Sequence, residues 1–430
     1  MLVTRNRDLK RSRTRTLAML FSALVLALAA VEGRADSLSL EAAEAIALEQ
    51  DPSLRAVQAR REAMDEMAVA SEQLPDPILR TGVMSLPTDT WELGQEPMTQ
   101  VVVGVSQKFP RGRTRALRSE QMFEQSAALD EMLGDQRLRI ALSVREEYLE
   151  VLKQLKLAEI NADAIDTFSD LADITQDYYA TGRVQQQDVL RAAVELARVQ
   201  DRGTRIAQEE DRARARLETW IGPAAWRELD SDWPDPGSPP TLDEIRAGLT
   251  QHPRIVALQQ RVEAADTGIE LAEQRYKPEF GIDLTYGGRG GNEMDGSSRS
   301  DLFSVMVMMD LPLFHKNRQD RYKAAAVSEA SAAAFDRDDL YRRLQSEAAM
   351  HAATLDRQRQ RLALFEKSLL PDAEFNAEAA FSAYQAALDS LTTLMRARIT
   401  EFELQLDYAT LRAELLKTQV RLAYFEGESP

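Results

Sequence analysis

Residues 278–311 read PEFGIDLTYGGRGGNEMDGSSRSDLFSVMVMMDL, and this stretch decides the fold. After Pro278 the residues alternate, with apolar side chains at every second position and mostly small or polar ones between them. The apolar positions are Phe280, Ile282, Leu284 and Tyr286, and then Phe303, Val305, Val307, Met309 and Leu311. A period of two over about ten residues is typical of a strand with one face in lipid. We therefore predict strands at about 279–287 and 302–311, joined by a Gly/Ser-rich loop.

A second pair of strands is predicted in the first half of the chain. Val101, Val103 and Val105 fall on one face of a strand at about 99–109, opposite Gln100, Gly104 and Ser106. A less regular strand precedes it at about 78–86. The alternation alone also suits a half-buried strand in a soluble sandwich. The Pro-bounded loop 87–97 and the loop 287–300 resemble extracellular turns, and this favours membrane strands.

Long stretches of the chain lack residues that break helices. No proline lies between Pro110 and Pro223, and no glycine lies between Gly296 and Gly427. Such runs are rare outside long helices, and a helix over about 113–181 would be about 100 Å long. The C-terminal run adds an apolar stripe in steps of four and three residues, which is typical of a coiled-coil seam. Its positions are Met395, Ile399, Phe402, Leu406, Ala409, Ala413, Leu416 and Val420.

The two halves of the chain repeat one plan. With Pro52 aligned on Pro253, seven further identities follow at a constant offset of 201 residues, and Tyr179 later falls on Tyr384. Each half therefore contains a helix, two short strands, a long helix, a turn and a second long helix. We predict a first repeat over 36–222 with its turn near 182, a proline-rich linker over 223–240, and a second repeat over 241–430 with its turn near 387.

The N-terminal segment predicts export. Basic residues between Arg5 and Arg15 precede the apolar run of Leu17–Val31, and small residues stand at the cleavage spacing that ends at Ala35. This order is typical of a secretory signal peptide over 1–35, whereas the alternative, a signal anchor, would have a short membrane span. We expect a protein that faces the periplasm of a Gram-negative type of cell.

Composition excludes several function classes. The 430 residues include 53 Lys plus Arg, 70 Asp plus Glu and no cysteine, for a formal net charge of −17. A nucleic-acid partner needs a basic face, and thiolate chemistry needs cysteine. Only three histidines occur, far apart in sequence, so we predict no metal site and no cofactor. We predict no enzyme, because the chain has no G-x-S-x-G, H-E-x-x-H or Gly-rich phosphate motif.

The strand count predicts an oligomer. Four strands cannot close a membrane barrel, which needs about eight, and open strand edges are not tolerated in lipid. Three copies would supply twelve strands and leave a lumen. The predicted fold class is therefore mainly α with a small β part, in two internal repeats. Its long helical hairpins accompany four short strands per protomer of a trimeric, twelve-stranded barrel.

An ordered set of segments resembles the TolC family of outer-membrane efflux ducts and covers nearly all of the exported chain. The segments are SLEAAEAIALEQDPSL at 39–54, LPDP at 74–77, QKFPRGR at 107–113, PLFHKNR at 312–318, and the turn regions 179–192 and 369–384. The resemblance implies a homotrimer in outer-membrane lipid with a large periplasmic α-barrel of helices. It also implies two protein partners, a periplasmic adaptor (membrane fusion) protein and an inner-membrane pump of the proton-driven RND type.

Two segments resemble the heavy-metal branch of that family in particular. They are LPDPILRTGVMSLP at 74–87 and EPMTQVVVGVSQKFPRGR at 96–113. This resemblance implies the export of cations such as copper or silver. A multidrug efflux duct and a type I protein-secretion duct share the fold and stay open as alternatives. A periplasmic adaptor is an alternative of another class, but it would have one hairpin flanked by β-domains instead of two repeats with strand pairs.

The resemblance also assigns roles to the two helix–turn–helix tips. It implies adaptor docking by Thr181, Gly182, Arg183, Val184, Gln385, Ala386, Ala387 and Leu388. Gly182 suits the left-handed position of such a turn, whereas Ala387 stands where glycine is usual, so we expect the second turn to differ in shape.

An acidic residue beyond the first tip is a candidate for a narrow point of the tunnel. Asp188 matches the acidic position that constricts some family members, and an exposed helix charge is the alternative interpretation. The second-repeat positions are Thr393 and Arg396, which depart from the acidic pattern. This departure argues against a tight acidic gate.

Overall fold

The computed structural model describes residues 37–235 and 237–427, so the predicted signal peptide lies outside the described residues. The described chain divides into two compact units. The first unit contains the residues up to Gln50 together with Ser143–Gly237 and Gln358–Lys417, and the second contains Asp51–Leu142, Ser238–Arg357 and the residues from Thr418 onward. Each unit takes segments from both halves of the sequence, so neither unit corresponds to one repeat.

The second unit contains an antiparallel four-stranded sheet in the order β1-β2-β3-β4. Its strands are β1 (Ile78–Met84), β2 (Gln100–Phe109), β3 (Phe280–Arg289) and β4 (Leu302–Met309). The central strands β2 and β3 come from different halves of the chain and pair over ten residues, with Val103 opposite Tyr286. Strands β1 and β4 each pair on one side only, so they are the two edges of this sheet.

The side chains of the sheet separate into two faces. We call the apolar face the one that carries Val101, Val103, Val105, Phe280, Ile282, Leu284, Tyr286, Phe303, Val305 and Val307, all of which are exposed. The opposite face carries the polar and small residues Arg80, Gly104, Ser106, Asp283, Thr285 and Ser304, together with the apolar Ile78, Val102, Met306 and Met308, and we call it the polar face. Because side chains alternate along a strand, this separation confirms the predicted period-two pattern.

Helices make up most of the described chain, as the sequence predicts. The first half contains α1 (Leu40–Gln50), α2 (Pro52–Glu72), α3 (Thr114–Ala180) and α4 (Gln186–Ile221). The second half contains α5 (Leu242–Gly248), α6 (Pro253–Glu273), α7 (Gln319–Leu364), α8 (Leu370–Gln385) and α9 (Leu391–Tyr424). Helix α3 alone has 67 residues, which correspond to about 100 Å at about 1.5 Å per residue.

The second hairpin differs from the first at one turn of helix. Helix α3 is continuous, whereas a π-helical turn at Phe365–Leu369 separates α7 from α8. In this turn the N–H of Leu370 donates to the carbonyl of Phe365, five residues earlier. Pro371 follows directly, and a proline has no N–H and crowds the carbonyl four residues before it. The wider π turn accommodates that proline without ending the helix.

The heptad stripe of α9 is a packing surface. Six of its eight positions are buried, and Ile399 and Leu406 are partly buried. In the first unit Met395, Ile399, Phe402 and Leu406 of the stripe pack into a hydrophobic cluster with residues of α3, α4 and α8. Residues of that cluster include Phe168, Val199 and Ala377. A coiled-coil seam is therefore the correct interpretation of the spacing.

A buried ion pair joins α3 to α9 within the first unit. The Lys417 ammonium group donates to Glu150, and Lys153 lies 2.7 Å from the same carboxylate. Burial alone would raise the pKa of Glu150, but the hydrogen bonds from Lys153 and Lys417 outweigh it and lower the pKa to about 2. The pair matters because a lone buried charge costs several kcal/mol.

Polar contacts also fix the end of α9 in the second unit. The Tyr424 hydroxyl donates to Asp135 at 2.7 Å, and Arg139 lies 2.9 Å from the same carboxylate. Burial and the negative charge of Asp135 raise the pKa of Tyr424 to about 12. The buried His252 caps α6, because its Nδ1 accepts the N–H of Arg254 at 3.2 Å. Its Nε2 lies 3.2 Å from the Tyr424 carbonyl oxygen, so its N–H faces the end of α9.

Replacing Lys417 with methionine removes the buried cation beside Glu150. We expect Lys417→Met to lower the free energy of unfolding by about 3 kcal/mol, measured by thermal unfolding followed by circular dichroism. The double variant Glu150→Gln/Lys417→Met should recover most of the loss. The exposed Lys316→Met is the control and should change stability by less than about 0.5 kcal/mol. An equal loss in both lysine variants would contradict the assigned ion pair.

The same pair predicts a pH dependence. A carboxylate whose pKa is lowered by folding stabilises the protein above its ordinary pKa, and this contribution is lost as the pH falls through the folded value. For Glu150 the window runs from the ordinary 4.5 down to about 2. The stability difference between the wild type and Glu150→Gln should therefore be constant above about pH 5.5 and shrink below about pH 4.5.

Candidate functional site: the hairpin turns

The first turn connects α3 to α4 through a left-handed glycine. The N–H of Gly182 donates to the Tyr179 carbonyl at 2.9 Å, and the N–H of Arg183 donates to the Tyr178 carbonyl at 2.8 Å. Gly182 has φ +73°, and a Cβ built there would touch nothing within 4 Å. Glycine is therefore favoured for its backbone conformation and not for space.

The second turn, between α8 and α9, has the same geometry. The N–H of Ala387 donates to the Tyr384 carbonyl at 3.0 Å, and the N–H of Leu388 donates to the Ala383 carbonyl at 2.9 Å. Ala387 has φ +57°, so an alanine occupies the left-handed position that Gly182 has in the first turn. The expectation that the second turn differs in shape is wrong, because these hydrogen bonds offset a left-handed strain of about 1 kcal/mol.

The eight predicted docking residues lie together at the two turns of the first unit. Seven of them are exposed and Val184 is half-buried, and the Leu388 side chain is 82% exposed. Side chains of α3, α8 and the first turn link the two turns. The rings of Tyr178 and Tyr384 lie 5.7 Å apart, and the guanidinium of Arg183 stands 5.4 Å from the centre of the Tyr178 ring.

Asp188 lies in the first turn of α4 and binds the backbone there. It is half-buried, and its Oδ2 accepts the N–H of Gln185 at 3.3 Å. A carboxylate at this position also interacts favourably with the positive end of the helix dipole. Asp188 therefore has a structural role in addition to any role in the tunnel.

The residues at the start of α9 are arranged differently. Arg396 is exposed, and Thr393 is exposed with its hydroxyl donating to Asp389 at 2.8 Å. The N–H of Ser390 and the Thr393 hydroxyl lower the pKa of Asp389. Sequence reasoning missed the capping role of Asp389, although an Asp-Ser pair just before a helix is a capping signal. It also missed the hydrogen bond from Arg191 to Thr392, which joins α4 to α9.

The described residues contain no group of three or more His, Asp or Glu side chains placed to hold a metal ion. Within the same residues, no helix is both long and apolar enough to cross a membrane.

Comparison with known proteins identifies the family. The sequence model for outer membrane efflux proteins matches residues 45–223 and 245–428. The chain belongs to the outer membrane efflux protein family. Its two matched ranges correspond to the two repeats, and members of this family are outer-membrane channels. No curated protein sequence matches the chain.

Solved structures show the same fold at low sequence identity. The outer membrane protein VceC from Vibrio cholerae matches with a TM-score of 0.76 and 18% identity, over 91% of this chain and 96% of that one. CusC matches with a TM-score of 0.76 and 13% identity, over 90% and 92%. The outer-membrane channel OprN matches with a TM-score of 0.75 and 18% identity, over 90% and 89%. At these sequence identities the similarity to the three solved structures is a similarity of fold.

A pair of single substitutions tests the shared geometry of the turns. Ala387→Gly should stabilise the second turn by about 0.5–1 kcal/mol, and Gly182→Ala should destabilise the first by a similar amount. Amide hydrogen exchange of 178–185 and 383–390 measures both effects. The control is Ala386→Gly, because Ala386 has an ordinary φ of −77° and its replacement should speed exchange. Faster exchange in Ala387→Gly would contradict the left-handed assignment.

Proposed function

We propose that the chain is one protomer of a homotrimeric, passive exit duct in the outer membrane. The observation that carries this proposal is the four-stranded sheet, which has one apolar face and two open edges and is joined to two long helical hairpins. Such a duct lets solutes pass through water without touching lipid. It performs no reaction, so we expect no enzymatic activity and no cofactor.

The sheet edges support assembly. The outer sides of β1 and β4 carry backbone N–H and C=O groups that β2 and β3 do not reach. In lipid each unsatisfied group costs several kcal/mol, so the edges have to pair with another chain. Three sheets of four strands close a barrel of twelve, a size that leaves a lumen.

The apolar face supports a position in lipid. Its Val, Ile, Leu and Phe side chains are exposed on β2, β3 and β4, and a soluble protein rarely exposes so continuous an apolar surface. The opposite, polar face then lines the lumen. Export to the outer membrane is supported by the predicted signal peptide and by the family, and the hairpins would form the periplasmic α-barrel.

The exposed turns support docking of a partner at the tips. Thr181, Gly182, Arg183 and Val184 of one turn, with Gln385, Ala386, Ala387 and Leu388 of the other, present backbone, polar and apolar groups to solvent. We propose that these residues contact a periplasmic adaptor, which connects the duct to an inner-membrane pump of the RND type. The pump supplies the energy for transport.

A channel recording tests the duct and its constriction together. We expect the purified protein to be a trimer by native mass spectrometry and to form water-filled pores in planar bilayers. If Asp188 lines the narrow point, Asp188→Asn should lower the cation selectivity of the pores while its amide oxygen still caps α4. Asp211→Asn, which changes an exposed acid on the same helix, is the control.

The recording tests the constriction and the duct separately. Selectivity that Asp188→Asn leaves unchanged would remove Asp188 from the constriction, with Thr393 and Arg396 as the next positions to test. A monomer without pore activity would overturn the duct itself, and an adaptor role would then be the hypothesis to pursue.

The cargo proposal rests on sequence resemblance. We propose heavy-metal cations such as copper or silver, because segments 74–87 and 96–113 resemble the heavy-metal branch of the family. We expect a deletion strain to lose tolerance to copper, silver, zinc, cobalt or cadmium salts, and the gene to restore it. Loss of tolerance to dyes, detergents or antibiotics instead would favour a multidrug duct. No phenotype with either set would favour type I protein secretion.

A further inference from the structure

The charged residues of the sheet all lie on one face. The four strands contain Arg80, Lys108, Asp283 and Arg289 as their only charged side chains. The register places each of them on the polar face, opposite Gly104, Gly281, Ser106 and Gln100 respectively. The face thus carries three cations and one anion, although the whole chain has a net charge of −17.

One ion pair on this face crosses a whole strand. Arg80 on β1 contacts Asp283 on β3, so its side chain passes over β2. The residues of β2 beneath it are Gly104 and Ser106, both small. A Cβ on Gly104 would lie 2.7 Å from the Thr285 hydroxyl and 2.9 Å from the Leu284 carbonyl oxygen, so glycine is required there.

The two partners of this pair differ in exposure. The Asp283 side chain is 8% exposed, whereas the Arg80 side chain is 57% exposed. The Thr285 hydroxyl also donates to the Asp283 Oδ1 at 2.8 Å. The carboxylate is therefore covered and held by its neighbour Thr285, and the guanidinium is the exposed group of the pair.

We propose that the polar face forms a cationic lining of the barrel, in which Arg80 is the residue that favours anionic solutes and Asp283 positions it. This inference rests on the proposed duct, because the polar face lines a lumen only if the sheet closes a barrel. The lining would thus attract anions locally although the chain as a whole is acidic. A cationic cargo would cross this segment against the local field, driven by the pump.

The dimensions of such a barrel allow the lining to act across the lumen. Twelve strands about 4.8 Å apart and tilted by about 40° place the backbone about 12 Å from the axis. Arginine and lysine side chains extend inward from there. The remaining radius is below the Debye length of about 8 Å at physiological ionic strength, so the field of the wall reaches the centre.

Cysteine labelling tests the proposal, since the chain has no cysteine of its own. Ser304→Cys places a thiol on the polar face of β4, in the row of Thr285, and Val305→Cys places one on the apolar face. The trimer in lipid nanodiscs is treated with two methanethiosulfonate reagents, the anionic ethylsulfonate and the cationic ethyltrimethylammonium. The ratio of their rates, relative to free cysteine, reports the local potential.

We expect Ser304→Cys to react about fivefold or more faster with the anionic reagent than with the cationic one, after each rate is divided by that of free cysteine. Adding Arg80→Gln should bring this anionic-to-cationic rate ratio close to that of free cysteine, whereas Arg80→Lys should leave the ratio unchanged. Adding Asp283→Asn should raise the ratio, because it removes the anion of the face. The lysine variant separates the charge of Arg80 from any structural effect of its loss. A ratio near one in Ser304→Cys, or one that Arg80→Gln does not change, would overturn the cationic lining.

The face control separates this inference from the duct itself. Val305→Cys should resist both charged reagents, because the proposed duct puts it in lipid. If Ser304→Cys is labelled and Val305→Cys is not, the result supports the proposed duct, whatever the ratio of the two labelling rates. If Val305→Cys is labelled as fast as Ser304→Cys, or if Ser304→Cys reacts only after denaturation, the lumen assignment fails and both proposals fall.

Discussion

The backbone groups at the two free sheet edges constrain this protein more than any side chain does. A four-stranded sheet satisfies the N–H and C=O groups of its inner strands and leaves those on the outer sides of β1 and β4 without a partner strand in the described chain. In the proposed duct the apolar face lies in lipid, where no water can satisfy these groups, so pairing with another chain becomes a requirement. The two repeats each supply two strands, and their pairing between β2 and β3 makes one sheet out of both.

Much of the fold could be predicted because its patterns are local. The alternation after Pro278 required only a short window, and so did the heptad stripe of α9 and the glycine at position 182. The strands extend over 78–84, 100–109, 280–289 and 302–309, and each end lies within two residues of the predicted segments 78–86, 99–109, 279–287 and 302–311. Position and type of the elements follow from side-chain periodicity.

The contacts that were missed depend on residues far apart in sequence or on backbone geometry. Glu150 and Lys417 are separated by 267 residues, and the local sequence around each of them does not indicate a buried ion pair. The Arg80–Asp283 contact appears only once the register of three strands is known. Ala387 was misjudged because residue preference was taken as the determinant of the turn, whereas the hydrogen bonds to Tyr384 and Ala383 hold the left-handed backbone with either residue.

The π turn at Phe365–Leu369 alters how the two hairpins correspond. Each π turn admits one residue more than an α turn, and one residue is about 100° of rotation on a helical wheel. Tyr179 and Tyr384 match at an offset of 205 residues, but the offset that preserves the same angular phase becomes 204 on the far side of the π turn. Before Phe365, residues paired at the offset of 205 that aligns the two tyrosines therefore point in directions that differ by about 100° around the helix axis. A substitution transferred from one hairpin to the other at that offset would be placed on a different side of the helix.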